Sequence, residues 1–199
     1  MADIRPLSSI DAALLERLIT GYTSSETYRV TRTETPDTIR FELQLTTLEQ
    51  PFVKRYPPLA ATELQCYRDL AAAGHAFGAF EGGTCVGIAL CEPQRWNSSL
   101  SVWEFHIAPE CRGQGAGRAL MAAVEAHARD ERLRCVVCET QTTNVAAIRF
   151  YRALGFAVDA VDVSLYTNAD IERGEVAVFL KKRIAQPPAD EKSVLHRDE

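Results

Sequence analysis

The chain has 199 residues, with 22 Lys plus Arg against 27 Asp plus Glu, a net charge of −5, and 46% apolar residues. That composition is ordinary for a globular protein and long enough to bury one core without disulfide or metal staples. Its net acidity argues against a general nucleic-acid binder and leaves a cationic partner open.

In chain order, residues 2–6 read as a short first strand. Ser9 is placed to cap a helix over about 10–20, with Ile10, Ala13, Leu14 and Leu18 on one face. Residues 27–33 and 38–46, rich in Thr, Val, Ile and Phe, flank Pro36-Asp37 as a hairpin. Residues 47–60 carry Pro51, Pro57 and Pro58 and read as loop. Leu64, Tyr67, Leu70 and Ala71 recur at helical spacing before Gly74, and residues 75–80 and 85–91 flank Gly82-Gly83 as a second hairpin. There follow a strand over 100–107, a helix over 117–130 with Leu120, Val124 and His127 on one stripe, a strand over 134–140 and a helix over 145–154. Two more strands are expected over 156–166 and 175–182. Hairpins interleaved with crossovers predict a single α/β domain over 1–184, a mixed central sheet flanked by helices. The segment 185–199, with Pro187-Pro188 and many charges, is expected to be a disordered tail.

Met1–Pro6 shows no basic run followed by an apolar stretch, so no signal peptide is expected. No membrane span is expected either, since no window approaches about 18 consecutive apolar residues. A cytoplasmic location with reduced thiols is then the expectation for the six cysteines. Cys135-Val-Val-Cys138 falls within a strand, where residues three apart point to opposite faces, so the pair reads as buried thiols rather than metal ligands. No His/Cys cluster has metal-ligand spacing, and no metal is expected.

The most informative segment joins the strand over 100–107 to the next helix: Ala108-Pro109-Glu110-Cys111-Arg112-Gly113-Gln114-Gly115-Ala116-Gly117. Alternating glycines let the backbone approach a ligand closely, and the free N–H groups at a helix start favour an anion. Arg112 and Arg118 can add charge-assisted bonds to phosphate. A Walker A loop would need Gly-Lys-Ser/Thr, which is absent. A dinucleotide fingerprint would need glycine where Arg118 stands.

A third pattern, [Gln/Arg]-x-x-Gly-x-[Gly/Ala], is met by Arg112-Gly113-Gln114-Gly115-Ala116-Gly117. It resembles the coenzyme A pyrophosphate loop of the GNAT superfamily of N-acetyltransferases. The downstream block Asn144-Val145-Ala146-Ala147-Ile148-Arg149-Phe150-Tyr151-Arg152-Ala153-Leu154-Gly155-Phe156 is similar to the same family's second motif. Tyr28-Arg29-Val30-Thr31, Trp96-Asn97, Ala108-Pro109, Glu139-Thr140-Gln141-Thr142 and Leu165-Tyr166 look like stretches of the streptothricin and nourseothricin acetyltransferases within it. That closer resemblance spans about 28–182. It departs at residues 47–74, where a looser, more acidic segment is expected, and at His106, where some relatives would carry an acid.

The resemblance implies acetyl-CoA as cosubstrate, held by Ile107, Ala108, Arg112, Gly113, Gln114, Gly115, Ala116, Gly117, Arg118, Asn144 and Tyr151. It implies a break in sheet pairing that frees the Ile107 N–H for the thioester oxygen, and Tyr151 as the acid for the leaving thiolate; the plain alternative is that Tyr151 merely packs on its helix face. Glu104 and His106 alternate along one strand and so share a face, with Trp103 and Phe105 on the other. Glu104 is a candidate to relay the proton off the attacking ammonium, and His106 can do so near neutral pH. A solvated strand face is the alternative for both. Trp96, His106, Glu139 and Tyr166 are candidate walls of the acceptor pocket, Trp96 by stacking on a cation. Asp159 and Asp162, three apart, place at most one carboxylate in it. No Gly-x-Ser-x-Gly elbow offers an acyl-enzyme, so direct attack on bound acetyl-CoA in a ternary complex is expected.

The expected function is N-acetylation of a primary amine on a small cationic compound, first among them the β-lysyl or lysyl-type amine of a streptothricin, as antibiotic resistance. Another small amine, a protein lysine, or a non-catalytic coenzyme A sensor are the rivals. A homodimer is a further expectation, by analogy with the fold.

Overall fold

A computed structural model describes residues 2–185. The elements run β1 (Asp3–Pro6), α1 (Ala12–Leu18), β2 (Tyr22–Thr35), β3 (Thr38–Lys54), α2 (Ala61–Ala72), β4 (Ala76–Glu81), β5 (Thr84–Gln94), β6 (Ser99–Ile107), α3 (Ala116–Asp130), β7 (Cys135–Gln141), α4 (Val145–Ala153), β8 (Ala157–Asp162), α5 (Asp170–Arg173) and β9 (Ala177–Arg183). Seven strands form one mixed sheet in the order β1-β4-β5-β6-β7-β9-β8, and β2-β3 form a separate ribbon.

Period-two alternation sorts the sheet's side chains between two helical layers. On β5, Val86, Ile88 and Leu90 pack with Leu15 and Leu18 of α1 and Tyr67 and Ala71 of α2. Ala89 and Cys91 face the other way, onto Leu120, Met121 and Val124 of α3 and Ile148 and Tyr151 of α4. Cys135 and Cys138 are both buried, whereas Cys66 is exposed on α2.

Several local readings are corrected. Asp11, not Ser9, caps α1, its side chain accepting from Leu14 N at 2.7 Å. The cap shifts the buried face to Leu15 and Leu18 and leaves Ala13 exposed. The ribbon continues through residues 47–54, read as loop from Pro51. Ser24 pairs Phe52 and Glu26 pairs Thr47, so residues 48–51 bulge outward and Pro51 has no ladder N–H to supply. The strand from 156 stops at Asp162, and the chain then turns through the buried Asp170, which accepts from Tyr166 N at 3.0 Å and Thr167 N at 2.7 Å. The expected tail over 185–199 lies, apart from Ala185, outside the described residues.

One feature of the sheet positions the site. β6 and β7 pair in parallel only from Ser99↔Cys135 to Val102↔Cys138. Beyond that, β6 stays with β5 as far as Ile107, while β7 stays with β9 as far as Gln141. The divergence starts where Trp103 is bulged out, Leu90 pairing Glu104 and Cys91 pairing Val102. A bulge sharpens local twist, which turns β6 off its parallel neighbour.

Candidate active site

The split between β6 and β7 opens into a cavity of about 250 Å³ lined by residues that include Tyr56, Glu63, Glu104, Phe105, His106, Glu139, Asn144 and Tyr151. Of the residues singled out from sequence, Glu104, His106, Glu139, Asn144 and Tyr151 converge here. Trp96 does not: it is 84% exposed in the turn before β6, at the far end of that strand from the split. Asp159, bulged from β8, pairs with Lys181 at 2.9 Å, and Asp162 accepts from Ser164 N, so neither carboxylate lines the cavity.

Glu104 and His106 do share a face, His106 Nε2 lying 2.6 Å from Glu104 Oε2. Tyr67 of α2 donates to the other oxygen at 2.6 Å. Phe105 turns the opposite way, its ring 6.2 Å from that of Tyr151. Trp103 stands on the surface, its indole donating to Glu92 at 2.9 Å.

Tyr151 is 6% exposed, among Phe105, Phe150 and Phe156. Burial, reinforced by the neighbouring Cys138, pushes its phenol well above the ordinary value, so it stays protonated at neutral pH. Burial also raises the Glu139 carboxyl, opposed by a hydrogen bond from the Tyr166 hydroxyl. Tyr166 thus reaches the site through Glu139 rather than as part of the cavity wall. Glu175 and Lys54, 2.6 Å apart, stand beside Glu139.

Sequence reasoning missed Tyr56, Glu63, Lys54 and Glu175, and assigned Tyr67 only to a helix face. Tyr56 follows the end of β3 and meets His106 edge-on at 6.3 Å, and burial pushes its phenol up to about 12. No local pattern marks these residues; they come in from the ribbon and the residues just after it, from α2, and, for Glu175, from the turn before β9.

At the other end of the split, Ala108 N donates to Val86 O at 2.8 Å. Strand alternation then points the Phe105 and Ile107 amides away from β5, into the split. Arg112 Nε donates to Ile107 O at 3.0 Å, using the carbonyl that β7 leaves unpaired. Gly113 (φ +75°) and Gly115 (φ +94°) take left-handed conformations, and a Cβ on either would meet nothing within 4 Å. Open space therefore lies over the N-terminus of α3, a helix of 15 residues. Gly117 serves packing instead, since a Cβ there would come within 3.2 Å of the Phe150 ring. Ala108 and Ala116 are buried behind the loop, and Gln114 Nε2 donates to Glu110 O at 2.8 Å. Arg118 is exposed on the first turn of α3. Asn144 caps α4, its Oδ1 accepting from Ala147 N at 3.2 Å. Among the described residues no three His, Cys, Asp or Glu are grouped to hold a metal ion, and no helix is long and apolar enough to cross a membrane.

Residues 41–156 match the acetyltransferase (GNAT) family. The chain is 34% identical over 98 residues to streptothricin acetyltransferase of Streptomyces lavendulae, covering 49% of this chain and 51% of that protein. It is 29% identical over 104 residues to streptothricin acetyltransferase A of Bacillus subtilis strain 168, covering 52% and 59%. It thus spans about half the length of the curated relatives it matches. The crystal structure of nourseothricin acetyltransferase superposes with a TM-score of 0.72 at 26% identity, over 92% of this chain and 99% of that one. With the split sheet, the glycine loop and more than half of its length in agreement, this chain belongs to the acetyltransferase (GNAT) family.

Proposed function

We propose that the chain transfers an acetyl group from acetyl-CoA to a primary amine of a small cationic compound, with the lysyl-type amine of a streptothricin as the first substrate. The observation that carries this is the cavity at the β6–β7 split, where Glu63, Glu104 and Glu139 surround one opening beside Tyr151. Carboxylates there favour a cation, and a structure so arranged has little use for an anionic or neutral acceptor. The likeness to streptothricin and nourseothricin acetyltransferases supports the choice of acceptor.

The residues fit coenzyme A. The α3 N-terminus, the open space at Gly113 and Gly115, and the Arg112 and Arg118 side chains suit a pyrophosphate. The split gives the pantetheine arm a place against unpaired backbone. When bound, acetyl-CoA supplies the thioester carbon that the amine attacks. The Ile107 N–H, aimed into the split, donates to the thioester oxygen as negative charge develops there. His106, held by Glu104, takes a proton from the ammonium so that the nitrogen lone pair can attack. The C–N bond forms as the C–S bond breaks, Tyr151 gives its proton to the departing sulfur, and the second proton lost by the nitrogen as it becomes an amide restores the phenol.

Thiol release with a panel of amines tests this reading. A streptothricin should exceed a polyamine, an aminoglycoside and a lysine peptide in kcat/KM by about tenfold or more, a ratio that corresponds to roughly 1.4 kcal/mol. Another amine ranking first would replace the acceptor. Tight acetyl-CoA binding with no turnover on any amine would instead make the chain a coenzyme A sensor.

A further inference from the structure

Glu104 is held at both of its oxygens. Tyr67 donates to Oε1 and His106 Nε2 lies against Oε2, each at 2.6 Å. An ionised carboxylate only accepts, so both neighbours donate to it. His106 then carries its proton on Nε2 and, when neutral, keeps its lone pair on Nδ1. Among the described residues no hydrogen bond or ion pair occupies Nδ1.

The two supports of Glu104 differ in stiffness. Tyr67 is 7% exposed, wedged among Leu15, Leu18 and Ala71, so helix packing fixes where its hydroxyl stands. Glu104 sits on the part of β6 that has lost its β7 partner, one residue beyond the bulge. A three-torsion side chain at such a place must be held by a contact, because ordering it costs rotamer entropy.

We propose that Tyr67 is a positioning residue: its hydroxyl anchors Glu104 Oε1 so that Oε2 holds His106 in the tautomer whose Nδ1 accepts the proton of the acceptor amine. The source of that proton rests on the acetyl-transfer reading; the clamp does not. The titratable groups facing the pair are Tyr56 at the end of the ribbon, Glu63 and Tyr67 on α2, and Glu139 on β7.

The test uses the full chain with Tyr67→Phe and His106→Gln, singly and combined, and Glu104→Gln. Imidazole 15N chemical shifts read the tautomer of His106, and steady-state kinetics read kcat and KM. In Tyr67→Phe, Glu104 swings off the imidazole. The His106 ring should then populate both neutral tautomers, since the acceptor that held the proton on Nε2 is displaced. The kcat should fall about tenfold with KM for acetyl-CoA unchanged, within the range for a misplaced acid–base group. In the His106→Gln background, Tyr67→Phe should cost nothing further, because no imidazole is left to orient. Glu104→Gln should mix the His106 tautomers at least as far, which keeps the proposal exposed should Tyr67→Phe fail to fold. An unchanged imidazole in either folded variant, or an undiminished Tyr67→Phe penalty without His106, overturns the clamp. The tautomer measurement needs no acceptor, so a chain inactive on every amine would refute the acetyl-transfer reading while the NMR still decides the role of Tyr67.

Discussion

The Tyr151 hydroxyl is one polar atom in an otherwise apolar layer. Its ring packs against Phe150 and Phe156 at centroid distances of 5.4 and 5.6 Å, and its hydroxyl lies against Cys138. A phenol kept protonated by burial is a proton donor that solvent does not compete with. Tyr151→Phe removes that O–H and leaves the packing, so kcat should drop about 100- to 1,000-fold, as expected for losing a general acid. KM for acetyl-CoA and the melting temperature should change little; thiol-release kinetics and a thermal scan check both. Full turnover in this variant would end the acid role. At this scale, Tyr151 and the glycine loop were legible because they lie in contiguous motifs. Tyr67 was not, since a tyrosine at helical spacing looks the same whether its hydroxyl is idle or reaches 37 residues along the chain to Glu104.

Two elements meet at a histidine pair. His75, just before β4, and His127, near the end of α3, approach to 2.9 Å between Nδ1 and Nε2, with Phe77 packed on His127 at 5.3 Å. Burial, and then the charge of His75, lower the His127 pKa below its ordinary 6.5; Glu131 and Asp130 oppose this and Arg95 adds to it. A histidine whose folded pKa is depressed binds fewer protons folded than unfolded, so stability rises with pH across the interval. The urea midpoint should therefore fall as pH drops through about 6.5 and keep falling until the folded pKa is passed. His127→Gln should flatten that dependence, and an equally steep curve in the variant would place the effect elsewhere. Helices α1 to α4 and both hairpins followed from periodicity and turn residues, whereas the short α5 did not. The extension of β3 over residues 47–54 did not, because Pro51 forbids a regular ladder but not a bulge. Nor did the end of β8 at Asp162, which is set by the buried Asp170 capturing the Tyr166 and Thr167 amides.

Across the whole molecule, the net charge of −5 becomes local at the split, where Glu63, Glu104 and Glu139 gather. A field of that sign raises the concentration of a cationic acceptor near the opening, and salt screens it. The kcat/KM for a polycationic amine should fall several-fold between about 50 and 500 mM salt, as the Debye length shrinks from roughly 14 to 4 Å. The kcat should hold, and initial rates at fixed acetyl-CoA check this. A salt-independent kcat/KM would mean that the acidic rim has no part in capture. The carboxylates expected to supply this charge were only partly the right ones. Glu104 and Glu139 do, but Asp159 and Asp162 are spent on Lys181 and Ser164, and Glu63 stands in their place.

Spacing along the chain was enough to establish the family resemblance, the mixed α/β sheet, the glycine loop and the facing of Glu104 and His106, because each depends on neighbours within one strand, one helix or one turn. The convergence of α2, the ribbon and β7 around the cavity depends on how layers pack over sequence separations of tens of residues. Only the folded chain set the Tyr67–Glu104 contact, the Tyr166–Glu139 contact and the distance of Trp96 from the split, since packing, unlike periodicity, leaves no repeat in the sequence.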